Sequence, residues 1–156
     1  MKKKFFLFTS MLSSVALMGT LYFAPVAEAS TLTSGQQAQN VIASAETYMG
    51  TPYLWGGTTS TGIDCSALTQ KAFQAAGINL PRVSRDQYNV GSSVAAKDLK
   101  PGDLVFFSFT SNHQVSHVGI YIGDGRFINA TSSKGVTISK FSSYWWQHYA
   151  GARRVL

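Results

Sequence analysis

One cysteine, Cys65, is all that this chain of 156 residues contains, so no internal disulfide can form and stability must come from packing. Histidine is almost as scarce. His113, His117 and His148 form no metal-type spacing with Cys65 or with one another, so neither a metal nor any other cofactor is expected. Acidic residues number 7 against 13 lysines and arginines, for a formal net charge of +6, yet the basic residues are scattered rather than arranged in a stripe. Nucleic acid is therefore not an expected partner. Internal repeats, low-complexity segments and a composition break that would mark a second folded domain are also missing.

The chain does have one long apolar run. Lys2, Lys3 and Lys4 precede apolar residues from Phe5 to Ala24, and Ala27-Glu28-Ala29 has the small-x-small form of a cleavage site. Residues 1–29 thus read as a secretory signal, 30–33 as a short linker and 34–156 as the folded domain. The run is long and interrupted by Thr9, Ser10, Ser13 and Ser14, so an uncleaved anchor is the alternative; no cysteine follows it to carry a lipid. Cleavage would remove three lysines and Glu28, taking the net charge from +6 to +4. That mild excess suits an anionic cell wall and solubility equally.

Beyond the linker, Ser34-Gly35-Gln36-Gln37 offers a capping box for a helix near 35–49, with Ala38, Val41, Ile42, Ala45 and Met49 at helical spacing and Gly50 as the stop. A Pro- and Gly-rich loop over 51–63 leads to a second helix from Cys65 to about Ala76, with Asp64 as N-cap and Gly77 as terminator. Residues 81–90 suggest a short third helix carrying Arg82, Ser84, Arg85 and Gln87. After the turn Pro101-Gly102-Asp103 the pattern changes to strands, expected over 104–109, 118–122, 126–130, 136–139 and 151–155. Helices followed by an antiparallel sheet make an α+β layout, with the cysteine-bearing helix packed on the sheet.

Cys65 opens its helix, where unpaired N–H groups and the macrodipole favour thiolate over thiol. It is either a nucleophile or a buried structural thiol. His117, opening the run His117-Val118-Gly119-Ile120-Tyr121-Ile122, can supply the base that a nucleophile needs. His117, Gly119 and Tyr121 share one face of that strand, while Val118, Ile120 and Ile122 form the apolar, core-facing side. A two-residue loop would turn Asn129 to the wrong face. The three-residue loop Gly123-Asp124-Gly125 pairs Gly119 with Asn129 and leaves only a glycine between the Asn129 amide and the His117 ring, so an orienting hydrogen bond is feasible.

Three segments together carry a family resemblance: Pro52-Tyr53-Leu54-Trp55-Gly56-Gly57, Asp64-Cys65-Ser66-Ala67-Leu68, and His117-Val118-Gly119-Ile120-Tyr121-Ile122-Gly123 followed by Phe127-Ile128-Asn129-Ala130. In this order and spacing the chain resembles the NlpC-type cell-wall peptidases, papain-like secreted bacterial cysteine endopeptidases. Pro101 to Phe107, Pro81 to Gln87 and Ser132 to Val136 fit the same pattern. The resemblance implies a papain-like fold with N-terminal helices, the nucleophile at a helix N-terminus and a central antiparallel sheet. It implies hydrolysis of peptidoglycan stem peptides or muropeptides, at the bond from the γ-carboxyl of D-glutamate to diaminopimelate or lysine, by a secreted monomer in the cell wall or periplasm with no stable membrane association. By position, Cys65 becomes the nucleophile, His117 the base and Asn129 the third polar group. Two departures stand out: Ala67 replaces a commoner glycine, and Asn129 a commoner histidine. Asparagine can still orient imidazole through its side-chain carbonyl.

Other residues carry weaker assignments. The Cys65 N–H is the first expected oxyanion donor, with the Tyr53 hydroxyl as second, unless Tyr53 lines the acyl side of the cleft or packs in the core. The resemblance places Asp64 and Ser66 near the free amine of the stem peptide's L-alanine, though an N-cap role alone would explain Asp64. Arg82, Ser84 and Arg85 should lie near the cleft, and the arginines suggest a solvated face slightly more than a partner for a substrate carboxylate. Trp55, Tyr144, Trp145 and Trp146 suggest core packing ahead of stacking on substrate, and His113 and His148 read as surface residues. The rival functions are a non-catalytic wall-binding domain and a related papain-like amidase or acyltransferase.

Overall fold

The structure is a computed structural model that describes residues 32–156, so the expected signal lies outside the described residues. Helix α1 spans Ser34–Glu46, and its cap is Thr33: the Thr33 hydroxyl accepts the Gln36 N–H at 3.3 Å and the Gln36 side chain accepts the Thr33 N–H at 2.8 Å. The box thus sits one residue earlier than expected. Thr33-x-x-Gln36 and Ser34-x-x-Gln37 have the same pattern, and spacing alone does not separate them. The last expected turn of α1 is a series of turns reaching Gly50, whose φ of +79° fits the stop assigned to it.

The loop after Gly50 contains a small hairpin, β1 (Thr58–Thr59) with β2 (Gly62–Ile63), and Tyr53 forms a bridge with Ile63. Helix α2 (Cys65–Gln74) starts where expected, since the Asp64 side chain caps it by accepting the Ala67 N–H at 2.8 Å. Helix α3 is only Ser84–Gln87, shorter than the expected 81–90. Strand β3 (Ser92–Val94) and a 3₁₀ turn (Ala96–Asp98), neither expected, lead into β4 (Leu104–Phe107), β5 (His117–Gly123), β6 (Arg126–Thr131), β7 (Gly135–Lys140), helix α4 (Ser143–His148) and β8 (Tyr149–Arg154). β4 stops two residues early and β8 begins two residues early.

The sheet runs β3-β8-β4-β5-β6-β7, antiparallel throughout. Its two faces separate by residue parity. Leu104, Phe106, Val118, Ile120, Ile128 and Ala130 pack against Val41, Ala45, Leu68, Ala72 and Phe73 of α1 and α2, forming the main core. On the opposite face Val105, Phe107, Phe127 and Ala152 are covered by Phe141, Trp145 and Tyr149. That second core was not expected, because α4 is six residues long, lacks a side-chain cap and shows no helical period.

The β5–β6 register agrees with expectation while the turn does not. Ile120 pairs with Ile128 and Tyr121 with Phe127, the alignment that sets Gly119 opposite Asn129. The tip pairs Gly123 with Arg126 across Asp124 and Gly125, both at positive φ (+52° and +66°), and a register shift between Tyr121 and Gly123 supplies the extra residue. A tight turn plus a bulge therefore reaches the parity expected from a three-residue loop.

Candidate active site

Cys65 occupies the first turn of α2, buried against the sheet. The N–H of Val118, the residue after His117, is near enough to its sulfur to favour the thiolate. Burial is the largest influence on the thiol and raises its pKa; the N–H groups of Val118, Ser66 and Cys65 lower it, while the Asp64 charge raises it. The net position is about 11. The helix terminus thus exerts the expected pull, but removal from water overrides it, and the resting group is a thiol. This corrects the expectation of a thiolate.

Asp64 is surrounded by donors. Arg82 grips it in bidentate fashion, Nη1 to Oδ1 at 2.9 Å and Nη2 to Oδ2 at 2.6 Å; the Gly56 N–H reaches Oδ2 at 3.0 Å, and Ser66 Oγ lies 3.3 Å from Oδ1. Burial alone would raise the Asp64 pKa, but the Arg82 contact and the Ala67 and Gly56 N–H groups outweigh it and hold the carboxyl below its usual range. Arg82 also donates to Ser66 Oγ at 3.0 Å. It is accordingly neither a solvated face nor a free partner for a substrate carboxylate, as the two sequence readings had it. Fully buried Gln87 fixes this corner: its side chain accepts from Thr69 Oγ1 at 2.8 Å and donates to the carbonyls of Ser66 (3.0 Å) and Pro81 (2.8 Å). Arg85 lies outside, exposed, 3.3 Å from Gln114 Oε1.

His117 stands at the start of β5, and its Nε2 lies 3.0 Å from Asn129 Nδ2. Gly119 makes this approach possible. A Cβ there would come within 2.8 Å of the Phe127 ring, 2.9 Å of the Ile128 carbonyl and 3.3 Å of Asn129 Cβ. The amide is turned opposite to expectation: its nitrogen faces the ring, while its carbonyl accepts from Ser139 Oγ at 3.0 Å. Trp145 lies over the imidazole, ring centres 5.7 Å apart at 27°, with Phe107 and Phe109 also within 6.0 Å. Among these rings burial pushes the His117 pKa down to about 4. The resting imidazole is neutral.

Two hollows meet at Tyr53. One, of about 330 Å³, is lined by Cys65 with Asp64, Ser66, Arg82, Ser84 and Trp55; the other, of about 340 Å³, by His117 with Phe109, Ser132, Ser133, Tyr144 and Trp145. Tyr53 borders both. Burial, then the neighbouring Cys65 and Asp64, raise its pKa, so its hydroxyl stays protonated and able to donate through neutral pH. Ser84 is buried at the first hollow's wall. The aromatic residues expected in the core are largely outside: Trp55 is 85% exposed, with Tyr144 and Trp146 also exposed, and only Trp145 is half-buried. His113 is exposed as expected, whereas the half-buried His148 ring lies 4.4 Å from that of Phe109. Among the described residues no cluster of His, Cys, Asp and Glu could hold a metal ion, and no helix is long and apolar enough to cross a membrane.

Sequence reading missed Ser139 and the role of Trp145. Parity was the available signal for Ser139: Asn129 pairs with Thr137, and Ser139 is two residues along the same face of β7. Trp145 had no such signal.

The pattern of the NlpC/P60 family matches residues 50–154. The chain is 51% identical over 117 residues to the gamma-DL-glutamyl hydrolase of Bacillus subtilis (strain 168), covering 73% of this chain and 28% of that protein. It is 44% identical over 111 residues to the murein DD-endopeptidase MepS/murein LD-carboxypeptidase of Escherichia coli (strain K12), covering 70% of this chain and 58% of that one. The crystal structure of an NlpC/P60 family protein from Bacillus cereus ATCC 10987 superposes with a TM-score of 0.72 at 37% identity, over 76% of this chain and 40% of that one. The peptidoglycan hydrolase RipB of Mycobacterium tuberculosis gives a TM-score of 0.69 at 32% identity, over 78% and 66%. The chain thus spans 28% and 58% of the two curated relatives named.

Proposed function

The chain belongs to the NlpC/P60 family of papain-like domains, and we propose that it is a cysteine endopeptidase that hydrolyses amide bonds of peptidoglycan stem peptides. The supporting observation is the buried His117–Asn129 contact, set one residue from Val118, whose N–H lowers the Cys65 pKa. The proposed bond joins the γ-carboxyl of D-glutamate to diaminopimelate or lysine. Names of relatives diverge here, one being a DL-glutamyl hydrolase and another a DD-endopeptidase. Residues 1–29 would export the protein to the cell wall or periplasm.

Catalysis starts from the neutral pair. Nε2 of His117 lies against the Asn129 amide; with the amide oxygen turned to Nε2–H, Nδ1 is left as the base, and as Sγ attacks the carbonyl carbon its proton passes to Nδ1. The oxyanion accepts hydrogen bonds from the Cys65 N–H and the Tyr53 hydroxyl. Collapse breaks the C–N bond, with His117 returning the proton to the leaving amine. Water, deprotonated by His117, then cleaves the thioester and restores the thiol. Asp64, Ser66, Arg82 and Ser84 line the acyl side, while Thr131, Ser132 and Ser133 line the leaving side.

Incubating the protein with purified peptidoglycan and identifying released fragments by mass spectrometry tests this reading. Fragments ending in D-glutamate with a free γ-carboxyl are the expected result. Opened cross-links would move the bond to the D,D position, lactoyl-peptides or free stems would indicate an amidase, and no release would indicate a binding domain.

A further inference from the structure

Asn129 has no exposed surface, so each end of its amide needs a partner. In the structure Nδ2 faces His117 Nε2 at 3.0 Å and Oδ1 accepts from Ser139 Oγ at 3.0 Å. In this arrangement Nε2 is an acceptor, and the neutral ring carries its proton on Nδ1. Such a ring cannot take a proton from the thiol at Nδ1. Once His117 does hold two protons, moreover, Nε2–H would point at Nδ2–H, placing two donors face to face in a buried site. Turning the amide over cures both problems, because Oδ1 then accepts Nε2–H and Nδ1 is free to act as base. The turned amide presents its NH₂ to position 139. A hydroxyl can accept as readily as it donates.

We infer that Ser139 is a positioning residue whose reversible hydroxyl lets the Asn129 amide face His117 with either end, so that the imidazole is matched in both of its protonation states. This rests on the proposed role of His117 as the base. Ser139 touches no substrate; it acts through Asn129. Its place on β7, opposite Phe127 and half-exposed, leaves room for replacement.

Three substitutions test this, read by steady-state kinetics on a purified muropeptide and by ¹⁵N NMR of the imidazole ring at a pH where it is neutral. Ser139→Ala removes the second partner and should lower kcat about tenfold with KM unchanged, whereas Ser139→Thr, which keeps the hydroxyl, should restore kcat to within about twofold. Ser139→Asp, whose carboxylate only accepts, should hold the NH₂ toward itself and move the ring proton from Nδ1 to Nε2. Unchanged kcat in Ser139→Ala, no rescue by threonine, or the same tautomer in Ser139→Asp as in the unsubstituted protein would overturn the inference. The NMR readout needs no substrate, so it separates failure of the Ser139 role from failure of the peptidase reading.

Discussion

The two hollows that meet at Tyr53 are made of opposite materials. On the Cys65 side, charge is concentrated and balanced locally: Asp64, Arg82 and Ser66 hold one another around the first turn of α2. On the His117 side no charged group lines the wall, and the imidazole is enclosed by Phe107, Phe109 and Trp145. Charge on one side secures the helix end that carries Cys65. Aromatic rings on the other keep the imidazole neutral and in place.

The largest effect should come from the proposed nucleophile. Cys65→Ser keeps nearly the same shape but raises the barrier to ionisation, so hydrolysis should fall by about three orders of magnitude or more with little change in melting temperature. Fragment release and thermal unfolding measure the two separately. Asn129→Ala should lower turnover by about one to two orders of magnitude at constant KM, since the imidazole loses orientation but not chemistry, and Asn129→His should recover much of it. An alanine variant with full turnover would leave a Cys65–His117 dyad.

Breaking the aromatic wall should act on pH dependence. Trp145→Ala admits water to the ring, so the His117 pKa should rise from about 4 toward its ordinary 6.5, and the acid limb of kcat/KM should rise with it, because the proposed base is the neutral imidazole. Stability should drop by about 1–3 kcal/mol from lost packing. An acid limb that stays in place would assign the depressed pKa to other neighbours.

The charged side should respond in stability instead. Arg82→Ala strips Asp64 of its bidentate partner, at a cost of about 1–3 kcal/mol once the partial exposure of the guanidinium is discounted. The sign follows from the lowered carboxyl pKa: its stabilisation is present above the ordinary carboxylate pKa and is lost as pH falls through the folded value, so wild type and variant should converge in acid. Arg85→Ala, on an exposed side chain, should change neither stability nor rate by more than about a few tenths of a kcal/mol. Parallel denaturation series on the two variants make the comparison.

Local chemistry was legible and remote contacts were not. Asp64 as N-cap and Cys65 at a helix start follow from neighbouring residues, and strand parity with a glycine at 119 was enough to bring Asn129 to His117. The Arg82–Asp64 pair joins residues 18 apart through a loop held by Gln87, which no period in the sequence announces. Trp145 reaches His117 only because α4 folds back over the second face of the sheet. The expected thiolate failed for the same reason. A helix terminus can be read from sequence, but the depth at which the sheet buries it cannot.

Alkylation of Cys65 by iodoacetamide across pH tests the neutral thiol–imidazole pair most directly, since only thiolate reacts. A thiol near pKa 11 should react at neutral pH about a hundredfold more slowly than in the unfolded chain, with the rate still climbing through pH 9. Labelling as fast as the unfolded chain, on a plateau through neutral pH, would mean a standing thiolate–imidazolium pair and would contradict the proposed resting state.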